Sequence, residues 1–292
     1  MEECIMNEYA YPEVLVSTDW VTDHLDDPKI RLIEVDVDTS NYDQGHILGA
    51  VGWNWQTQLQ DRLRRDLTGQ QRFGRLVGGA GITPDTTVIL YGDNNNWFAA
   101  WAFWQLKYYG HGDVRLMDGG RKKWREERRR LSTDIAMVLP KTYTAKLPDT
   151  SIRAKREDIF SVLDKHSYAR LVDVRTPDEF TGRVIAPSGM NETAQRGGHI
   201  PGAVNVPWSQ AVVKDGTFKP AEALQEIYGG KGITGEQGVI TYCRIGERSS
   251  HTWFVLKYLL GYKNIRNYDG SWTEWGNLVG APIEKEIAAA AR

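Results

Sequence analysis

Gly230-Lys231-Gly232-Ile233-Thr234 repeats Gly79-Ala80-Gly81-Ile82-Thr83 at an offset of 151 residues. The same offset pairs Val239-Ile240 with Val88-Ile89, Tyr242 with Tyr91, Phe254 with Phe103 and Gly261 with Gly110. It continues through Arg266 with Arg115, Asp269-Gly270 with Asp118-Gly119, and Trp275 with Trp124. Upstream, His199-Ile200-Pro201-Gly202-Ala203-Val204 matches His46-Ile47-Leu48-Gly49-Ala50-Val51 at an offset of 153. Leu171-Val172-Asp173-Val174 matches Leu32-Ile33-Glu34-Val35 at an offset of 139, so the second half carries 14 extra residues between Thr181 and Gly198. A period of about 150 residues is too long for a stacked solenoid unit and has the size of an ordinary domain. The chain is a duplicated domain.

Each half reads as α/β. The runs Leu171-Val172-Asp173-Val174 and Gly238-Val239-Ile240-Thr241-Tyr242 suit buried parallel strands. An apolar helix is expected over 249–260, with Ser249 or Ser250 as its cap and Gly261 as its stop, followed by a strand over 264–268. Short connections between alternating strands and helices imply parallel sheets flanked by helices. The expected division is one domain over 1–139, a polar linker over 140–150 bracketed by Pro140 and Pro148, and a second domain over 151–292.

At 292 residues, 41% hydrophobic and 25% charged, the chain has ample material for two cores. A net charge of −2 exerts no general pull on nucleic acid or an anionic membrane, and no apolar run reaches the ~20 residues of a membrane span. The opening Met1-Glu2-Glu3-Cys4-Ile5-Met6-Asn7-Glu8 lacks the basic and apolar parts of a signal peptide. With two cysteines, Cys4 and Cys243, a disulfide framework is not expected, and a reducing cytoplasm fits.

Chemistry concentrates in Thr241-Tyr242-Cys243-Arg244-Ile245-Gly246-Glu247-Arg248-Ser249-Ser250-His251. A strand delivers Cys243 to its carboxyl end and a helix comes next, which is where open α/β sheets place ligands. Backbone N–H groups of such a turn, with the positive end of the helix, favour an anion at the loop's centre. A thiolate with a depressed pKa is therefore expected at Cys243, supported by Arg244 and Arg248. An isolated cysteine is more often a small buried hydrophobe, but the strand end, two arginines and a glycine oppose that reading here. Arg248 lies five positions after Cys243, a loop one residue shorter than the cradle of cysteine phosphatases, and a tighter loop suits a single sulfur atom better than a phosphate.

The segments Leu171-Val172-Asp173-Val174-Arg175, Gly198-His199-Ile200-Pro201-Gly202-Ala203, Cys243-Arg244-Ile245-Gly246-Glu247-Arg248-Ser249 and Asp269-Gly270-Ser271-Trp272 resemble the signatures of the rhodanese family. The resemblance runs from Val14 to Ile283 and is strongest to its tandem-domain thiosulfate sulfurtransferases of bacterial type. It implies that Cys243 takes the outer sulfur of thiosulfate as a persulfide, releases sulfite, and passes the sulfur to cyanide or a thiol, with no metal or organic cofactor. Arg244, Ile245, Gly246, Glu247, Arg248 and Ser249 would form the amide cradle, and Asp173 would brace the loop through Arg248. Many such enzymes place an arginine just before the aromatic residue at Phe180; this chain has Glu179 there, and Arg183 in the insertion is the candidate substitute, with Arg244.

Related readings remain. A 3-mercaptopyruvate sulfurtransferase shares the fold, but its loop carries glycine where Arg244 stands, and a cation there favours compact thiosulfate. A non-enzymatic binding module would lack Cys243. In the first half Gly92 takes the cysteine's place, so no nucleophile is expected there. Trp97, Trp101 and Trp104 fall at helical spacing and read as packing, whereas Trp272 and Trp275 suit either the core or a cleft lining. The basic run from Arg121 to Arg130 reads as a solvated helix face, with no nucleic-acid partner expected. The sequence leaves the oligomeric state open.

Overall fold

The runs Thr87–Tyr91 and Gly238–Tyr242 are apolar without alternation, as strands covered on both faces must be. In the computed structural model, which describes residues 9–185, 189 and 193–285, each is the central strand of a five-stranded parallel sheet. The first half supplies β1 (Leu15–Val16), β2 (Ile30–Glu34), β3 (Val51–Gly52), a small antiparallel pair β4 (Gln60–Asp61) and β5 (Asp66–Leu67), then β6 (Thr87–Tyr91) and β7 (Val114–Met117). The second half supplies β8 (Arg153–Ala154), β9 (Ala169–Asp173), β10 (Val204–Asn205), β11 (Gly238–Tyr242) and β12 (Ile265–Tyr268). The sheet orders are β1-β7-β6-β2-β3 and β8-β12-β11-β9-β10. They are one topology used twice.

The repeated His-Ile-x-Gly-Ala motif has the same physical task in both halves. The His46 ring stacks on Tyr42 at 3.8 Å between centroids, and the His199 ring stacks on Phe180 at 3.6 Å. Each Nδ1 lies 2.8 Å from the carbonyl of the residue it stacks on. The next amide, of Ile47 or Ile200, donates to the hydroxyl of the tyrosine ending the central strand, Tyr91 or Tyr242, at 3.0 and 3.1 Å. Both isoleucines are fully buried, so the motif pins one sheet face and locks the strand end at once.

The chain forms two compact units whose limits differ from the expected division: one comprises residues 11–150 with 212–219, the other chiefly residues 151–211 and 220–285. The polar segment expected to be a linker lies along the first unit. Lys141 N donates to Gly78 O (2.8 Å), Lys146 N to Tyr109 O (3.0 Å) and Asp149 N to Tyr108 O (2.8 Å). Its backbone runs so close that a Cβ on Gly78 would sit 2.2 Å from Lys141 O. The 212–219 segment also belongs here: Phe218 N donates to Asp118 Oδ1 (3.0 Å), and Asp215 pairs with Lys123 (2.7 Å). That contact, together with the buried Arg121–Glu34 pair and the Arg129 bridges to Asp19 and Glu127, occupies much of the basic run intramolecularly.

Trp101 and Trp104 are buried in the first unit, and Trp272 and Trp275 in the core of the second, so the last two are core residues. Among the described residues, no helix is long and apolar enough to cross a membrane. The acidic start through Glu8 and the tail from 286 onward lie outside the described residues.

Gly92 generates the first prediction. Its backbone is ordinarily extended, but a Cβ there would sit 2.1 Å from the Val35 carbonyl oxygen. Gly92→Ala should therefore destabilise the first unit by about 1–3 kcal/mol through overpacking. Gly79→Ala is the control, because nothing lies within 4 Å of the added atom. Urea unfolding monitored by circular dichroism checks both, and equal midpoints for the two variants would contradict the close approach.

Candidate active site

Cys243 comes directly after β11, and the next helix covers Glu247–Phe254, with Gly246 as its cap at φ 102°. The helix thus starts before the expected serine cap, because glycine adopts the left-handed turn that ends the loop. It passes into a π-helical turn over Val255–Leu259. Three residues, Arg244, Ile245 and Gly246, are all the chain has between Cys243 and the helix.

A loop this tight presents its amides inward only if its carbonyls turn outward, and β12, the segment after it and the helix take them. Trp272 N donates to Cys243 O, and Thr273 N and Oγ1 both donate to Arg244 O, each at 3.0 Å. Asn267 Nδ2 donates to Gly246 O at 3.1 Å, and Ser250 N and Oγ bond the same oxygen. Ser271, buried at φ 52°, accepts the Cys243 amide on its hydroxyl at 3.0 Å. A non-glycine residue held there signals a conformation imposed by its surroundings.

The Gly246 amide is left facing the sulfur, with N 3.2 Å from Cys243 Sγ. Ser249 Oγ lies 3.6 Å from the same sulfur but donates its proton to Asn267 Oδ1 at 2.6 Å. The Glu247 carboxylate turns back into the same loop, where Oε2 accepts from Cys243 Sγ at 3.2 Å and from Ile245 N at 3.3 Å. Arg248 forms a bidentate pair with Glu179 at 2.8 and 3.0 Å, both residues at most 2% exposed. Burial pushes the Glu179 carboxyl up, yet the Arg248 pair outweighs it and holds the group below its usual range.

Two expectations need correction. The Cys243 thiol is not depressed: burial, and then the Glu247 carboxylate, push it up, and Arg248 with the Ser249 hydrogen bonds does not outweigh them. Asp173 does not reach the loop through Arg248. It pairs with Arg175 at 2.6 Å, and Arg175 in turn donates to Gly198 O and lies over the Trp272 ring, 4.5 Å from its centroid. The carboxylate that holds Arg248 is Glu179, the residue that departs from the family's pattern. Arg183, the candidate anion clamp, is two-thirds exposed and lies 3.6 Å from Asp178.

Sequence reasoning missed Ser271, Asn267 and the role of Glu179. Asp269-Gly270-Ser271-Trp272 is visible as a motif in the sequence; that the Ser271 hydroxyl and the Trp272 amide serve the cysteine loop is not.

The rhodanese-like domain model matches residues 17–127 and again residues 159–278. The chain belongs to the rhodanese family. Among rhodanese relatives, a protein of Mycolicibacterium smegmatis named "Putative thiosulfate sulfurtransferase" is 57% identical over 94% of this chain and 99% of its own length. One of the same name in Haloferax volcanii is 54% identical over 96% and 98%. The sulfur carrier protein TtuD of Thermus thermophilus is 55% identical over 95% and 98%. Among solved structures, the anaerobic ergothioneine biosynthesis enzyme of Chlorobium limicola has a TM-score of 0.82 and 25% identity, covering 94% of this chain and 71% of that one. These likenesses support sulfurtransferase activity for this rhodanese.

The Glu179–Arg248 pair yields the second prediction. Glu179→Ala leaves a buried guanidinium without its carboxylate and should cost about 3–5 kcal/mol of stability. Because the Glu179 pKa is depressed by folding, its contribution is complete above the unfolded value and is lost as pH falls through the folded one. The stability gap between wild type and Glu179→Gln should therefore shrink below about pH 4. A gap independent of pH between about 3 and 7 would contradict the pairing.

Proposed function

We propose that the protein is a thiosulfate sulfurtransferase that carries the sulfane sulfur as a persulfide on Cys243. The observation that carries the reading is the Gly246 N–H directed at Cys243 Sγ from the start of the helix, in a loop whose carbonyls are tied outward. Such a donor favours negative charge at the loop's centre, where the terminal sulfur of a persulfide would sit. Arg244 adds a cation next to the nucleophile in sequence. The names of the relatives, thiosulfate sulfurtransferase and sulfur carrier, support the same chemistry.

In the first half-reaction the Cys243 thiolate attacks the outer sulfur of thiosulfate. A sulfur–sulfur bond forms to the enzyme, the one to the central sulfur breaks, and its electron pair leaves with sulfite. In the second, cyanide or a thiolate attacks the terminal sulfur, and the electron pair of the broken bond returns to Cys243 Sγ. Both steps balance without a cofactor. Arg183, two-thirds exposed beside Asp178, takes no part in either step of this reading.

Thiosulfate without acceptor should add one sulfur, about 32 Da, to Cys243 and release one equivalent of sulfite. Intact-mass and peptide mapping read this out; no adduct, or an adduct on Cys4, would overturn the mechanism. Cys243→Ser should fold and show neither.

Arg244→Gly tests the choice of donor. Its kcat/KM for thiosulfate should fall by at least about tenfold, while that for 3-mercaptopyruvate falls less or rises. Equal losses would assign Arg244 to loop support alone.

A further inference from the structure

A buried carboxylate in contact with the sulfur atom of a nucleophilic loop opposes the purpose of the loop unless it has work of its own. Glu247 is such a group: it is 1% exposed, and its Oε2 lies 3.2 Å from Cys243 Sγ, with the thiol donating to it. The Ile245 amide also donates to Oε2. Oε1 is buried without a hydrogen bond and lies near the guanidinium groups of Arg248 (Nε at 3.6 Å) and Arg244 (Nη2 at 3.9 Å). Other charges near the loop are engaged elsewhere, since Arg248 is shared with Glu179, and Asp269, behind Gly246, pairs with Arg153 at 2.8 Å.

The position itself is informative. At the 151-residue offset Glu247 corresponds to Asn96, whose side chain also folds back on its loop, accepting the Gly92 amide at 3.0 Å and donating to Met117 O at 2.8 Å. An amide closes the silent loop equally well, so filling the turn does not require a carboxylate. What a carboxylate adds is the capacity to hold a proton.

We infer that Glu247 is a catalytic residue that accepts the Cys243 proton when sulfur is loaded and returns it when sulfur is discharged. This rests on the persulfide reading above. Loading then reads as thiol plus Glu247 carboxylate plus thiosulfate dianion, giving persulfide anion plus Glu247 carboxylic acid plus sulfite dianion. The thiol proton moves to Oε2, the new S–S bond forms at Sγ, and sulfite takes the electrons of the broken one. Discharge to cyanide reverses the proton's path, giving thiocyanate, thiol and carboxylate, with charge conserved in both steps.

The arrangement has a physical advantage. In the resting state the neutral thiol avoids two adjacent buried anions, consistent with the upward push on Cys243. Once the proton has moved, the carboxylate no longer repels the thiosulfate dianion, and the carboxylic O–H can donate to the persulfide. A general base in hydrogen-bond reach of its proton contributes about 10²–10⁴-fold in rate.

Glu247→Gln separates this role from a purely electrostatic one, because the two move opposite ways. Removing the negative charge should lower the Cys243 titration midpoint, read as thiolate absorbance against Cys243→Ser. If Glu247 is the proton acceptor, the single-turnover sulfite burst near neutral pH should nevertheless slow at least about tenfold, the loss growing toward low pH. A burst unchanged or faster in Glu247→Gln, tracking its larger thiolate fraction, would overturn the inference. Should that variant not fold by circular dichroism, Glu247→Ala with added formate carries the test: rescue of the burst supports the base, and no rescue in a folded variant overturns it. No sulfite burst from the wild-type protein would instead overturn the persulfide reading, so the two failures are distinguishable.

Discussion

The site depends on where the carbonyl groups of Cys243, Arg244 and Gly246 point. A three-residue turn before a helix has as many acceptors as donors, and left to itself it would present both to its interior. The amides of Trp272 and Thr273 and the side chain of Asn267 take those three carbonyls. The loop is thereby left with the Gly246 N–H directed at the sulfur atom and the Ile245 N–H at Glu247. The chemistry at the end of β11 is thus set by β12, its neighbour in the sheet, and by the segment 271–273 beyond it.

The same dependence explains why the two halves diverge while sharing a fold. Their sheets have one strand order, and their histidine–tyrosine locks use the same hydrogen bonds. Yet Gly92 has no space for a side chain, and Asn94, Asn95 and Asn96 all adopt positive φ in a turn closed by the Asn96 amide. Asp93 is spent on the amides of Val37 and Asp38. The silent loop has no room for the side chain a nucleophile would need, so it is more than the active loop minus one sulfur.

Electrostatics in the active loop work by pairing rather than by accumulation of positive charge. Arg248 is committed to Glu179, and Arg244 lies near Glu247, so neither guanidinium acts alone on the thiol. Burial then dominates and, with Glu247, pushes the Cys243 thiol up. Counting arginines near a cysteine predicts the wrong direction once each has a carboxylate beside it.

Duplication, the parallel α/β class, the position of the insertion and the placing of Cys243 at a strand end are all legible in the chain alone, because periodicity and local motifs carry them. The His-Ile-x-Gly-Ala motif is legible for the same reason: its contacts lie within a single domain and recur at a constant offset. Folding had to settle which carboxylate meets which arginine, since Asp173, Glu179 and Glu247 are equally plausible partners until backbone geometry sets their distances. Folding also made the polar segment 140–150 a strap on the first unit. Proline and charge report local stiffness and hydration, whereas docking depends on a surface, around Gly74 and Gly78, that only the folded chain presents.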